Sequence, residues 1–328
     1  MRKIPIAALL PAALTIGCGS VSTAPLSAMQ ACADVAQAMC AKRASCTKGA
    51  GITRVNGDMD TCLAEERQLC TLVLSAADTG QTPDGMERCA GGYDSASCTD
   101  FLNGIPPVAC TPAGSRAVDA PCAFNGQCQS AFCARAKSSA CGMCASPPSV
   151  GDPCLDGNCA HGQTCLGGNN TCQAIVAAGQ PCDGPTCSGG DNCVGNDVLN
   201  MGPGTCEMAA SVVGAACGAG TAGCAGVVGL ACGGTAGSKT CMMMTYATDG
   251  AACGMTSDGG RVACLAGVCY TTTGVAGEQQ TGTCKADVGA GMGCDIMLGP
   301  ACKPPGRCVV SASSTAGTCT IPDPAQCG

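Results

Sequence analysis

The only histidine of the chain, His161, sits among cysteines in the stretch "GDPCLDGNCAHGQTC", Gly151 to Cys165. Imidazole and thiolate are ligands that zinc takes, so Cys154, Cys159, His161 and Cys165 could form a tetrahedral metal site. Two observations weigh against that chemistry. The same three cysteines recur in four other stretches of the chain without a histidine. Thiols of an exported chain also meet an oxidising compartment, where they pair with one another. A metallothionein-like cluster fails on spacing, since Cys-x-Cys is absent and Cys-x-x-Cys occurs once. The cysteines therefore read as disulfides, with no metal ligand and no cofactor assigned.

Other candidate chemistry is weaker. "CGMC" at 141–144 has the spacing of a thioredoxin-type dithiol, whose reactivity needs a helix N-terminus, and no alternation of strand and helix surrounds it. "GGTAGSKT" at 233–240 falls short of a phosphate-binding loop because Ser238 interrupts the Gly-Lys step. Met242, Met243 and Met244 could hold a soft metal, but neighbours along a strand face opposite ways, and the three read as hydrophobic filler. A Ser-His-Asp hydrolase would have to use His161, and no Gly-x-Ser-x-Gly elbow accompanies it. Glu65 and Glu66 are adjacent on a helix and read as a solvated face. Asp156, Asp183, Asp191 and Asp197 lie in loops with Gly and Asn, which leaves calcium open as a ligand, although Asp-Gly is more often a plain turn. No catalytic residue is assigned, and the chain reads as non-enzymatic.

The elements that carry these residues cannot rest on a large apolar core. The 328 residues include no Trp, three Phe and three Tyr, against 35 Cys, 49 Gly and 19 Pro. That is the composition of a disulfide scaffold built from turns and short strands. The N-terminus "MRKIPIAALLPAALTIGCGS" has two basic residues, an apolar run from Ile4 to Ile16, and Gly17 before Cys18. It reads as a signal peptide over residues 1–17, too short and too proline-rich to span a bilayer. "LTIGC" resembles the lipobox of bacterial lipoproteins, in which the cysteine is lipidated and becomes the first mature residue. Thr15 departs from the leucine preferred there, and Gly19, rather than Asp, resembles lipoproteins sorted to the outer membrane. The expectation is lipidation at Cys18, a small polar tether to residue 31, and a membrane partner engaged through acyl chains at the outer membrane or cell surface.

Loss of Arg2 and Lys3 with the leader would take the formal charge from −7 to −9, which argues against nucleic acid as a partner. Setting Cys18 aside leaves 34 cysteines, an even number.

Residues 32–112 have helical periodicity. Cys32, Val35, Ala36, Met39 and Cys40 recur at three- and four-residue spacing, as do Cys62, Leu69, Cys70 and Val73. Both segments contain Cys-x7-Cys, so two antiparallel helices can be stapled twice, Cys32 to Cys70 and Cys40 to Cys62. A third helix starts at Thr82-Pro83 and runs past Cys89 towards Cys98 and Phe101, weakened by Gly91-Gly92.

From residue 113 a repeat takes over. Its unit is Gly-x-x-Cys, a loop, a close pair of cysteines and a closing cysteine. Five copies begin at Gly151, Gly179, Gly214, Gly250 and Gly291 with four cysteines each, after a divergent first copy, "DAPCAFNGQCQSAFCARAKSSACGMC", with five. Cys327 stands alone at the C-terminus, and nothing in the sequence assigns it a partner. Units of about 30 residues bury too little to fold on apolar contacts, so the cysteines are their core. Of the three connectivities open to four cysteines, first-to-third with second-to-fourth is preferred.

The stretch "PCAFNGQCQSAFCARAKSSACGMCASPPSVGDPC" and the units after it resemble bacterial surface lipoproteins that match the Dickkopf N-terminal cysteine-rich domain. The resemblance implies a secreted disulfide-rich module and no catalytic residues. The fold class expected is thus small and disulfide-rich, a stapled helical domain followed by about six tandem cysteine-rich units (113–328) of short β-hairpins and loops, extending outwards as a rod or a chain of knots. The function expected is structural, adhesive or protein-interacting, through an extracellular protein or glycan; the alternative is a ligand-binding module for calcium, a glycan or a protein carried by one repeat. The helical staple is testable: Cys40→Ser should leave Cys62 as the one alkylatable thiol, whereas alkylation at Cys46 would overturn the pairing.

Overall fold

The structure is a computed structural model that describes residues 26–327 except 137–138, 156–157, 167–170, 183–185, 196–202, 219, 236, 258, 272–280 and 312–313. Helix α1 (Ala28–Thr47) opens on Ser27, whose hydroxyl accepts from the Gln30 N–H at 3.1 Å. It ends where Lys48 and Gly49 turn left-handed, with φ of 51° and 85°. A short α2 (Ala50–Val55) leads to α3 (Met59–Ser75), capped by Asp58 accepting from the Thr61 N–H at 2.7 Å. Helix α4 (Pro83–Ser95) has Pro83 in its first turn under a Thr82 cap. These caps satisfy N–H groups that a helix start otherwise leaves unpaired.

Helix α1 packs on both α3 and α4. Small side chains let them approach: Ala31, Cys32, Val35, Cys70, Met86, Cys89, Ala90 and Tyr93 form the buried cluster. Two disulfides, Cys32–Cys70 and Cys40–Cys62, join α1 to α3 at two levels. Cys46–Cys98 and Cys89–Cys110 tie in the following segments. The single third helix expected to run to Phe101 is in fact two. The chain leaves the helix at Ala96 and restarts as α5 (Cys98–Leu102), capped by Ser97, so that Cys98 can reach Cys46. The Gly91-Gly92 step does not end α4. At Gly92 a Cβ would stand 2.6 Å from the Cβ of Pro107, so the glycine admits the returning chain.

Each of the six units is stapled in the same crossed way. First-to-third and second-to-fourth bridges are Cys154–Cys165 with Cys159–Cys172, and Cys182–Cys193 with Cys187–Cys206; the five-cysteine first unit has Cys122–Cys133 with Cys128–Cys144, its last cysteine taking the closing place and Cys141 being left over. The later units carry Cys217–Cys232 with Cys224–Cys241, Cys253–Cys269 with Cys264–Cys284, and Cys294–Cys308 with Cys302–Cys319. The third and fourth cysteines face each other across an antiparallel hairpin in every unit, Cys165 opposite Cys172 and Cys269 opposite Cys284 for instance, yet they bond to the first and second cysteines instead.

The recurring glycine also has a physical cause. The residue three before the first cysteine donates its N–H to the carbonyl of the fourth cysteine, as Gly151 does to Cys172 at 2.8 Å and Gly291 to Cys319 at 2.8 Å. It does so from a left-handed backbone, φ 91° at Gly151 and 81° at Gly291, which glycine adopts without a Cβ clash. In the first unit Asp119 holds this place, with φ 68° and the same bond to Cys144.

The units do not extend as a rod. They wrap around the helices, each one touching them, the loops between them or a neighbouring unit. Gln127 of the first unit donates to the Ala77 carbonyl, Gly189 of the third to the Asn103 side chain, and Ala266 of the fifth to the Thr53 carbonyl. Lys48 reaches the carbonyl of Ser211, just ahead of the fourth unit. The sixth unit meets the first, Arg307 donating to the carbonyls of Ala136 and Ser139. The circle is closed covalently by Cys141–Cys327, across a sequence separation of 186. Units this small leave apolar surface at their backs, and the helical domain supplies the wall that covers it. Among the described residues no helix is long and apolar enough to cross a membrane.

The clasp predicts a specific phenotype. Cys141→Ser combined with Cys327→Ser should leave the other sixteen bridges intact by peptide mapping while lowering the stability by about 3 kcal/mol, less than so long a loop would suggest because the other bridges already shorten it. Scrambled bridges inside the units would show instead that closure precedes their formation.

Candidate functional site

In each of the first five units three cysteine sulfurs lie within 4.8 Å of one another, as at Cys154, Cys159 and Cys172. These sulfurs are already joined in pairs, Cys154 to Cys165 and Cys159 to Cys172, so they offer no thiolate to a metal. His161 is engaged elsewhere, its Nδ1 3.3 Å from the Gly104 carbonyl in the loop after α5. The four sequence candidates for zinc are therefore split between two disulfides and an interdomain contact.

The two cysteines of "CGMC" part company, Cys141 to Cys327 and Cys144 to Cys128. Of the methionines, Met244 is buried with Ala231 and Ala263, whereas Met242 and Met243 are exposed. Gly233 and Thr240 pair across a hairpin, so the glycine-rich stretch between them is its connection. Asp191 lines a hollow with Arg54, Asn103 and Asn192. Cys18, Asp156, Asp183 and Asp197 lie outside the described residues.

Glu65 and Glu66 do not form a solvated face. Both turn inwards, one to each side of a hydrogen-bonded chain. Arg43 on α1 pairs with Glu66 at 3.0 Å and donates to the Asn56 side-chain oxygen at 2.9 Å; Asn56 in turn donates to Glu65 at 2.7 Å. Asn56 is buried, and the Arg43 and Glu66 side chains are only 19% and 11% exposed. The staple explains the placement: Arg43 lies one turn after Cys40 and Glu66 one turn after Cys62 on antiparallel helices, so they flank the Cys40–Cys62 bridge, and the long Arg43 side chain reaches back past Cys62 Sγ, 3.3 Å away, to Glu66. Consecutive residues on a helix would normally diverge, but here the turn after α2 brings Asn56 to one and α1 brings Arg43 to the other.

Asp287, in the linker between the fifth and sixth units, lies close enough to feel this network. Burial first, and then the charge of Glu65, raise its carboxyl from the ordinary 3.8 to about 6, with Lys303 opposing the shift. Burial also raises Glu65, against its bond to Asn56. One Asp287 oxygen is buried without a hydrogen-bond partner.

Two hollows lie nearby, the first of them lined by Arg43 of the network. One, of about 500 Å³, lies between α1, α5 and the second unit and is walled by Met39, Arg43, Val55, Phe101, Ile105 and His161 among others. The second, of about 240 Å³, lies between α3, α4 and the first unit, with Leu69, Val73, Phe124, Gln81 and Arg135 in its wall. Tyr93, Pro106 and His161 border both. Sequence reasoning did not single out Arg43, Tyr93 or Arg135. The staple register was a usable signal for Arg43, but Tyr93 and Arg135 meet only because the first and second units fold back on the helices.

Seventeen disulfides engage all 34 cysteines of the described residues, the state of a chain folded outside the reducing cytosol. Compared with protein-family models, curated proteins and solved structures, the chain matches none.

The raised Asp287 carboxyl fixes the sign of a pH effect. Between the unfolded value near 3.8 and the folded value of about 6 the native state binds the extra proton, so stability falls as pH rises through that window. Asp287→Asn should therefore raise the melting temperature at pH 7.5 and lose that advantage at pH 4; an equal effect at both values would place the cause in packing instead.

Proposed function

We propose that this chain is a non-enzymatic surface lipoprotein: an acylated Cys18 and its tether hold a compact, disulfide-closed head at the outer membrane or cell surface, where it engages an extracellular protein or glycan. The observation that carries the reading is the closed ring. Its crossed bridges and covalent clasp give a head that resists unfolding and cleavage, and its hairpin turns serve as contact loops. The lipobox-like "LTIGC" supplies the anchor, and several acyl chains on one cysteine exceed the two signals that stable attachment requires. The resemblance to Dickkopf-type cysteine-rich domains accounts for the module and not for a receptor, and the receptor binding of animal members is not transferred to this chain.

The ring also bears on how the head acts. Repeats that circle a hub give little reach, so contact close to the membrane fits better than spanning a gap. The second reading, a ligand-binding module, rests on the two hollows between units and helices rather than on one repeat.

Intact mass of the native protein, alkylated before and after reduction, tests the proposal together with the intact mass of Cys18→Ala. The expected result for the native protein is a mass that starts at an acylated Cys18 with no alkylation until reduction, and for the variant a mass without acyl chains that keeps the leader. A native mass that retains residues 1–17, or an unmodified Cys18 in a freely soluble protein, would overturn the anchor.

A further inference from the structure

The chain carries 23 acidic residues against 16 Lys and Arg, yet the charged side chains that line the two hollows are Arg43 and Arg135, with no carboxylate among the lining residues. Arg43 is neutralised from behind by Glu66. Arg135 is not. Its Nη1 donates to the Ala123 carbonyl, and its Nε is buried with no hydrogen-bond partner. Among the described residues it reaches no carboxylate, and its charged neighbour is a second cation, Arg307, which is held by backbone carbonyls alone. Burial and Arg307 together pull the Arg135 guanidinium down to about 10. A largely buried positive charge beside another, with an unpartnered Nε and, among the described residues, no carboxylate in reach, is a costly arrangement that an anion in the hollow would relieve.

One further polar group is unspent in the same walls. Tyr93, 7% exposed, borders both hollows, and no hydrogen bond among the described residues holds its hydroxyl, a donor from which a carboxylate can accept. The remaining wall is largely apolar. Leu69, Val73 and Phe124 line one hollow, and Met39, Phe101 and Ile105 the other. The larger hollow, of about 500 Å³, has the size of a small-molecule site, and both share the make-up of one, apolar walls with a few fixed polar groups.

We propose that the hollows around Tyr93 bind a small amphipathic anion, a hydrocarbon chain ending in a carboxylate, with the carboxylate at Arg135 and the chain packed along the apolar wall past Tyr93. The site goes beyond the surface role argued above and stands whether or not Cys18 is acylated.

The test uses the whole mature chain from Gly19, exported behind a plain secretory leader so that it carries no acyl group and needs no detergent, titrated with decanoate, decanol and decyltrimethylammonium. Binding is read by calorimetry and by tyrosine emission, which is selective because the chain has no Trp and three Tyr. Decanoate should bind at least tenfold more tightly than the other two, and its emission change should vanish in Tyr93→Phe. Arg135→Met should cost decanoate about tenfold and leave decanol unchanged. If that variant shows free thiols, and so misfolds, the comparison of the three ligands on the parent chain decides alone. Absence of decanoate binding, equal affinity for decanol, preference for the cation, or an emission change that survives in Tyr93→Phe would each overturn the proposal.

Discussion

The interaction on which everything else depends is the crossed pair of disulfides inside each unit, held in register by one pair of backbone hydrogen bonds. A left-handed residue passes its N–H to the carbonyl of the fourth cysteine, and the fourth cysteine returns its own N–H to the next residue, as Cys206 does to Gln180. That reciprocal pair clamps the incoming chain onto the edge of the hairpin before the first cysteine arrives. The first cysteine is then placed over the third, and the second over the fourth. Without the clamp the cysteines that face each other across the hairpin, such as Cys193 and Cys206, would be the nearest candidates for pairing. The glycine is therefore as much a part of the staple as the sulfurs. It also explains why an aspartate suffices once, since Asp tolerates the left-handed region better than most side chains.

Much of this was readable from the sequence because it is local. The repeat was marked by its cysteines and its glycine, and a unit of about 30 residues without large apolar side chains leaves the cysteines as its core. The helices were readable too, since matching Cys-x7-Cys spacings describe two antiparallel strips of one geometry. What could not be read was where separate units go relative to one another. A cysteine spacing says nothing about the back of a unit, so a rod and a ring look the same in sequence. A fifth cysteine in the first unit and Cys327 were visible as leftovers, but nothing along the chain says that the fifth is Cys141 or that these two distant parts meet. The break at Ala96 belongs to the same class, because it exists for Cys98 to reach Cys46.

The site followed the same division. The sulfurs and His161 drew attention because their residue types suggest chemistry, and the fold separates them. The residues that do gather, Arg43, Asn56, Glu65, Glu66 and Asp287, come from four segments. Their side chains were ordinary in sequence and became unusual only through burial. Glu65 and Glu66 illustrate the point: on a bare helix they would be solvated, but α1 and the turn after α2 each offer one of them a partner.

A ring of small disulfide-cored units needs a hub, and the hub in turn determines where charge can be hidden. Each unit is closed on itself, and the hub meets it with apolar side chains such as Phe101, Ile105 and Leu69 and with backbone carbonyls. Several contacts between unit and hub are consequently single hydrogen bonds to backbone atoms, at Ala77, Gly104 and Thr53. Such contacts position a unit without filling the volume behind it, which is why hollows remain at the seams. A charge placed at a seam is sheltered from water by two rigid bodies, neither of which can collapse onto it. In the Glu66–Arg43–Asn56–Glu65 chain the hub pairs its cation with Glu66 and holds Glu65 through Asn56, and the surplus negative charge is felt by Asp287, whose carboxyl is raised. At Arg135 the charge comes from the ring side, beside Arg307, and the hub offers it no carboxylate. The two seams thus differ in kind: one holds its cation on a carboxylate of the hub, and at the other no carboxylate among the described residues meets the cation.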